Sequence, residues 1–335
     1  MTAPSAGSCN NHCRACSPRD IIFEVSVKDS PCLLLIASSR QARTPAFERA
    51  VALSKASGAA LRIVAFDHSR VLEVMGLFTP DALSSLRDGH LQVYRRWLEA
   101  QVQAELGRGL EVSLEPMWTA SMFDGLRDCI SAIAPAMVIK DIHHEVSMGR
   151  FFSTPLDWHL LRECRCPIQF VTGSSSPLPR KILAAVNLYR ANDAELRLND
   201  TLLSAASRLA VQCLAALHVV YVYDWSAIYA SGANTFGPQP VESGFQEALS
   251  DAHEEAFALL CTHYGIVGNH RHFLTGTPRP TLEAFARQND FDLLVMGALP
   301  VHGMETVMGD TAENLLVHAP CSVLVVKAGT LRLAG

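Results

Sequence analysis

The chain repeats itself. "HLLRECRCPIQFV" (159–171) matches "NLLVHAPCSVLVV" (314–326) at a constant offset of 155. "PAMVIKD" (135–141) resembles "FDLLVMG" (291–297), and "CLLLIASS" (32–39) parallels "KILAAVNL" (181–188). "LRIVAFDHS" (61–69) parallels "HVVYVYDWS" (218–226). Self-similarity at one long period means that each half must solve the same folding problem in the same way. A chain of 335 residues suits two such units of about 150 residues each.

Each half reads as alternating strands and helices. Strands fall near 32–37, 60–66, 111–117, 136–140 and 167–171, and again near 181–187, 215–222, 269–274, 292–296 and 321–327. These are short apolar runs without polar alternation, as strands covered on both faces should be. Helical patterns separate them, among them 44–57, 80–106, 154–164 and 245–265. The order predicts an α/β fold of two tandem five-stranded, doubly wound parallel sheets. "GSSSPLPR" (173–180) reads as a Ser/Pro linker. The expected organisation is therefore a flexible Cys-containing tail (1–29), a first domain (30–172), the linker (173–180), a second domain (181–328) and a short C-terminal tail (329–335).

Apolar residues make up 49% of the chain and charged ones 18%, which is ample for buried cores. A net charge of −5 gives no basic face for nucleic acid. No apolar run approaches the ~20 residues of a membrane span, and the N-terminus lacks an apolar signal region. A cytoplasmic location is expected. Of the ten cysteines, Cys129, Cys213, Cys261 and Cys321 lie in apolar-periodic segments, where a thiol behaves as a small buried hydrophobe. Cys166, in "ECRC", is read as core, matching Cys321 in the other half.

"DLLVMG" (292–297), "MGDTAENLLVHAPCSVLVVK" (308–327) and "TPLDWHLLRECRCPIQFV" (154–171) resemble the universal stress protein family, in its tandem, E-type branch. The resemblance covers about residues 30–328 and implies the adenine nucleotide alpha hydrolase-like fold. Many members bind ATP through G-x2-G-x9-G-(S/T) after strand four, with an aspartate ending strand one; others bind none. Here Gly297 and Gly309 match the outer glycines, one residue closer together than in the pattern. The middle glycine is missing, and Pro300 offers no N–H. Asp310 precedes Thr311 where a hydroxyl should follow directly, and Asn187 stands for the aspartate. Asn187, Val222, Gly297, Gly309, Asp310 and Thr311 are thus the residues that would hold ATP in the second domain.

Such a loop binds phosphate with converging backbone N–H groups and a helix N-terminus. A carboxylate at Asp310 repels a phosphate unless a metal bridges them. "DTAE" (310–313) also has the form of a capping box, with Asp310 as cap and Glu313 reaching back. The loop reads as degenerate. In the first half, "TPLD" (154–157) is likewise a helix start, and strand one ends without an acid.

Two further groups could bind metal. "KDIHHEV" (140–146) follows strand four of the first half and offers Asp141, His143 and Glu145, with His159 on the next helix; zinc is the expected ion. Cys9, Cys13 and Cys16 share the C-x3-C-x2-C spacing of some iron–sulfur enzymes, although on a polar tail. No nucleophile elbow or P-loop is present. The expectation is a non-enzymatic stress-response regulator that binds a protein partner or small molecule, paired internally as a pseudo-dimer or further as a homodimer. Two alternatives stand beside it: an ATP-binding, metal-assisted switch, and a metal or redox sensor using the tail cysteines and the His143 loop.

Overall fold

The structure is a computed structural model. It describes residues 31–38, 42–66, 89, 92–103, 112–117, 122–142, 145–147, 150–152, 155–173, 176–189, 193–226, 243–298 and 319–327. In chain order the first half contributes β1 (Cys32–Ala37), α1 (Pro45–Ser57), β2 (Ala60–Phe66) and α2 (residues 92–103). It continues with β3 (Val112–Met117), α3 (Met122–Ile133), β4 (Met137–Asp141), β5 (Glu145–Ser147), β6 (Arg150–Phe152), α4 (Pro155–Glu163) and β7 (Ile168–Val171). The second half has β8 (Lys181–Val186), α5 (Asp193–Cys213), β9 (Ala216–Tyr223), α6 (Ser243–His263), β10 (Arg271–Thr275), α7 (Pro278–Gln288), β11 (Leu293–Ala298) and β12 (Ser322–Lys327).

All these strands except β5 and β6 join one ten-stranded sheet, in the order β10-β9-β8-β11-β12-β7-β4-β1-β2-β3. Pairing is parallel throughout except at the centre, where β7 meets β12 antiparallel with Phe170 opposite Val323 and Ile168 opposite Val325. Each half thus closes one edge of the other, which removes two open edges. Within each half the strand order reverses beside its first strand, so the doubly wound plan holds.

Strand residues alternate between faces. Leu33, Leu35, Ile182, Val295 and Leu324 pack on the face covered by α1 and α5. Leu34, Ile36, Leu183, Leu294 and Val323 pack in a second cluster on the other face, with Leu126 of α3, Leu160 of α4 and Leu282 of α7. Both clusters draw residues from both halves.

Helix α1 shows why the local sequence folds as it does. Pro45 fits the first helical position, Thr44 Oγ1 accepts from the Phe47 N–H at 3.3 Å, and the chain leaves through Gly58 at φ 71°. Arg49 of α1 is buried, and its Nε donates to the Pro177 carbonyl, tying the segment between the halves to the first helix. A small β5–β6 ribbon, with Val146 opposite Phe151, follows β4 and stands outside the strands expected from the sequence. Two three-residue runs are too short to show a period.

Candidate functional site

Open α/β sheets bind ligands at the carboxyl ends of their strands where the strand order reverses. In the second half that point lies between β8 and β11, beside Asn187 and Gly297. Two consecutive residues of helix α5 contact it. Leu198 is buried against Gly297 so tightly that a Cβ there would lie 2.5 Å from its Cδ2 and 2.7 Å from its Cγ. Asn199, also buried, clamps the end of β8: its Oδ1 accepts from the Asn187 N–H at 3.1 Å and its Nδ2 donates to the Asn187 carbonyl at 2.7 Å. The Asn187 side chain turns back locally, its Oδ1 accepting from the Tyr189 N–H at 3.0 Å.

Gly297 is therefore required by packing in this structure, since any side chain would displace Leu198. Val222 is buried in the cluster on the opposite face of the sheet. The neighbouring Tyr223 is buried too, and its hydroxyl has no partner among the described residues; burial pushes its pKa up. Gly309, Asp310 and Thr311 lie outside the described residues.

The corresponding edge of the first half is occupied by charge. Asp141 is buried at the end of β4, and its Oδ1 accepts from the Ala46 N–H at 2.9 Å. A carboxylate of the chain itself thus fills the anion position that the N-terminus of α1 offers. Its neighbour Lys140 points to the other face, where its Nζ meets Asp157 Oδ1 in the first turn of α4 at 2.7 Å, and also donates to the Asp141 carbonyl at 3.0 Å. Both side chains of that pair are buried, so each charge depends on the other.

The metal candidates are only partly visible. His143 lies outside the described residues, as do Cys9, Cys13 and Cys16; of Glu145 only the strand position is described. His159 is 3.4 Å from Glu163 through its Nδ1 and stacks near Phe123. Among the described residues no three His, Cys, Asp or Glu side chains converge as a metal site, and no helix is long and apolar enough to cross a membrane.

Sequence reasoning missed the Leu198–Asn199 plug and the Lys140–Asp157 pair. For the pair there was a signal: Lys140 follows directly on the apolar run of β4, and a lysine there needs a buried partner. For the plug there was none.

Comparison with known proteins agrees with this architecture. A family model described as the Universal stress protein family matches residues 179–327. "Universal stress protein E" of Escherichia coli strain K12 is 26% identical over 298 residues, covering 88% of this chain and 93% of its own length. The protein of that name from Photorhabdus laumondii is 25% identical over 299 residues, covering 88% and 94%. Among solved structures, a functionally unknown protein from Pseudomonas aeruginosa PAO1 superposes with a TM-score of 0.68 at 22% identity, over 90% of this chain and 93% of its own. A universal stress protein from Archaeoglobus fulgidus DSM 4304 gives 0.59 at 14% identity, over 89% and 98%. The two superpositions show a shared fold.

Proposed function

The chain belongs to the universal stress protein family, as a tandem, E-type member, and from that premise we propose that it is a non-enzymatic regulator. It acts in a stress response by binding a protein partner or a small molecule, with a nucleotide loop that has lost its purpose. The observation that carries this reading is the contact of Leu198 with Gly297, beside the Asn199 clamp on Asn187. In this reading, side chains of α5 take the space where a nucleotide would approach the ends of β8 and β11. The loop sequence supports the same reading, because Asp310 and Pro300 remove what a triphosphate needs from Gly297 through Thr311. In the first half, Asp141 and the Lys140–Asp157 pair oppose a bound nucleotide in the same way.

The pairing of β7 with β12 supports an internal pseudo-dimer, one chain doing what two single-domain copies would do. A cytoplasmic location belongs to the same proposal, as does a further association into a homodimer.

Native mass spectrometry and thermal shift of the full chain test the proposal, with ATP in the presence of Mg²⁺ or Mn²⁺ and with Zn²⁺ alone. The expected result is no retained nucleotide and no stabilisation at millimolar ATP. Micromolar ATP binding that is lost in Gly309→Val would overturn it. Metal-dependent ATP binding lost in Asp310→Ala would establish the switch in its place, and Zn²⁺ binding lost on removing residues 1–20 the metal sensor.

A further inference from the structure

The turn between α4 and β7 brings two thiols together. Cys164 and Cys166 are both unbridged, and their sulfurs lie 3.0 Å apart. A covalent sulfur–sulfur bond of about 2.0 Å is one small closure away. The turn is held at both ends: the Cys164 N–H donates to the Leu160 carbonyl at 3.0 Å, and the Pro167 carbonyl accepts from Val138 of β4 at 2.9 Å. Little chain freedom is left to lose on joining the two sulfurs.

A cation stands beside them. Lys327, at the end of β12, reaches from the second half to the last turn of α4. Its Nζ donates to the carbonyl of Cys164 and, at 3.2 Å, to that of Arg162. Its charge favours a thiolate on either sulfur. Burial pushes Cys213 and Cys261 each up to about 11 and Cys321 up to about 12, which keeps those thiols protonated and inert. The pair departs from that pattern. Cys164 is drawn down, mainly by the hydrogen bond from Cys166, while Cys166 is held up by giving that bond and by burial. The two thiols therefore share one proton after the first has left.

We propose that Cys164 and Cys166 form a reversible dithiol–disulfide couple that exchanges with low-molecular-weight disulfides of the glutathione type. Cys166 is the more exposed of the two and enters first. Once the pair has lost its first proton, the remaining one passes from Cys166 to Cys164, leaving the thiolate on Cys166. That sulfur attacks one sulfur of the small disulfide, forming a mixed disulfide and expelling one thiolate, which takes up a proton from solvent. The Cys164 thiol then gives up its proton and its sulfur attacks Cys166, forming the internal bond and expelling the second thiolate. The two protein thiols lose two electrons and two protons; the small disulfide gains both and leaves as two thiols. This couple is independent of the ligand proposed above. It is also distinct from Cys9, Cys13 and Cys16, which lie outside the described residues.

The full-length protein is equilibrated anaerobically over a range of reduced-to-oxidised glutathione ratios, quenched in acid, alkylated with N-ethylmaleimide and digested with trypsin. Cleavage after Arg162, Arg165 and Arg180 separates the two cysteines onto peptides 163–165 and 166–180, which stay joined only through a disulfide. The joined pair is expected to accumulate as the buffer becomes oxidising and to disappear when the ratio is reversed. Both peptides alkylated at every ratio, or Cys166 bridged to another cysteine instead, would overturn the proposal. In Cys164→Ala a stable glutathione adduct is expected on peptide 166–180; its absence would overturn the assignment of Cys166 as the entering sulfur.

Discussion

A methyl group at Gly297 would sit within 3 Å of two Leu198 carbons, so the two positions share one volume. Gly297→Ala alone should cost about 1–3 kcal/mol through overpacking. Leu198→Ala alone should cost about 2–5 kcal/mol, because a buried side chain is lost and a hole remains. In the double variant the new methyl enters the space that Leu198 vacated, so the combined loss should fall short of the sum by at least ~0.5 kcal/mol. Urea titrations of the three variants measure the difference, and strict additivity would contradict the contact. This pair also marks the limit of reading a site from sequence. Gly297 carried a glycine signal, but glycine serves close approach to a phosphate and close approach to a leucine equally well. Leu198 and Asn199 fit an amphipathic helix whichever way it leans, so nothing in their spacing revealed the plug.

At the scale of elements the strands were the most legible feature. Runs such as "LLVMGA" in β11 and "SVLVVK" in β12 are buried on both faces, and burial on both faces is what an unalternating apolar run encodes. What adjacent strands bring together was less so. β10 begins with Arg271 opposite Val219 of β9, and beside that start His218 stacks on His270 with ring centroids 4.3 Å apart, while its Nδ1 lies 3.0 Å from His272 Nε2. Phe291 meets the His218 ring edge-on, and Lys181 lies over Phe291. Burial, reinforced by His270, His272 and Lys181, lowers the pKa of His218 from 6.5 to about 4. Well above pH 6.5 the ring is neutral folded and unfolded, and it contributes no pH dependence. As the pH falls through 6.5 the unfolded chain takes up a proton that the folded chain refuses, so stability is lost until the folded ring also protonates near 4. His272 is lowered for the same reasons and adds to the loss. The urea midpoint should therefore drop between pH 6.5 and about 4, and less steeply in His218→Gln. Parallel profiles for the two proteins would contradict the linkage.

Across the whole molecule the tandem plan was legible from the repeat, but the seam that joins the halves breaks the symmetry of that repeat. At the offset of 155, Gln169 corresponds to Leu324, and β7 and β12 set these two residues directly opposite each other. Gln169 is fully buried, and neither polar atom of its amide has a hydrogen-bond partner among the described residues. Leaving such a group unpaired costs about 1–3 kcal/mol, which an unbranched apolar side chain of similar length avoids. Gln169→Met should therefore raise stability by an amount in that range. Where the gain is felt follows from the architecture. The sheet runs unbroken through the seam, and both of its core clusters mix residues of the two halves, so neither half has a core of its own to lose first. Unfolding should be one transition, and a change at the seam should move it as a whole. Native-state hydrogen exchange reads this directly: the slowest amides of β1 in the first half and of β8 in the second should gain the same protection in Gln169→Met. Protection gained in one half alone would mean that the halves unfold independently and that the shared core does not bind them into one cooperative unit.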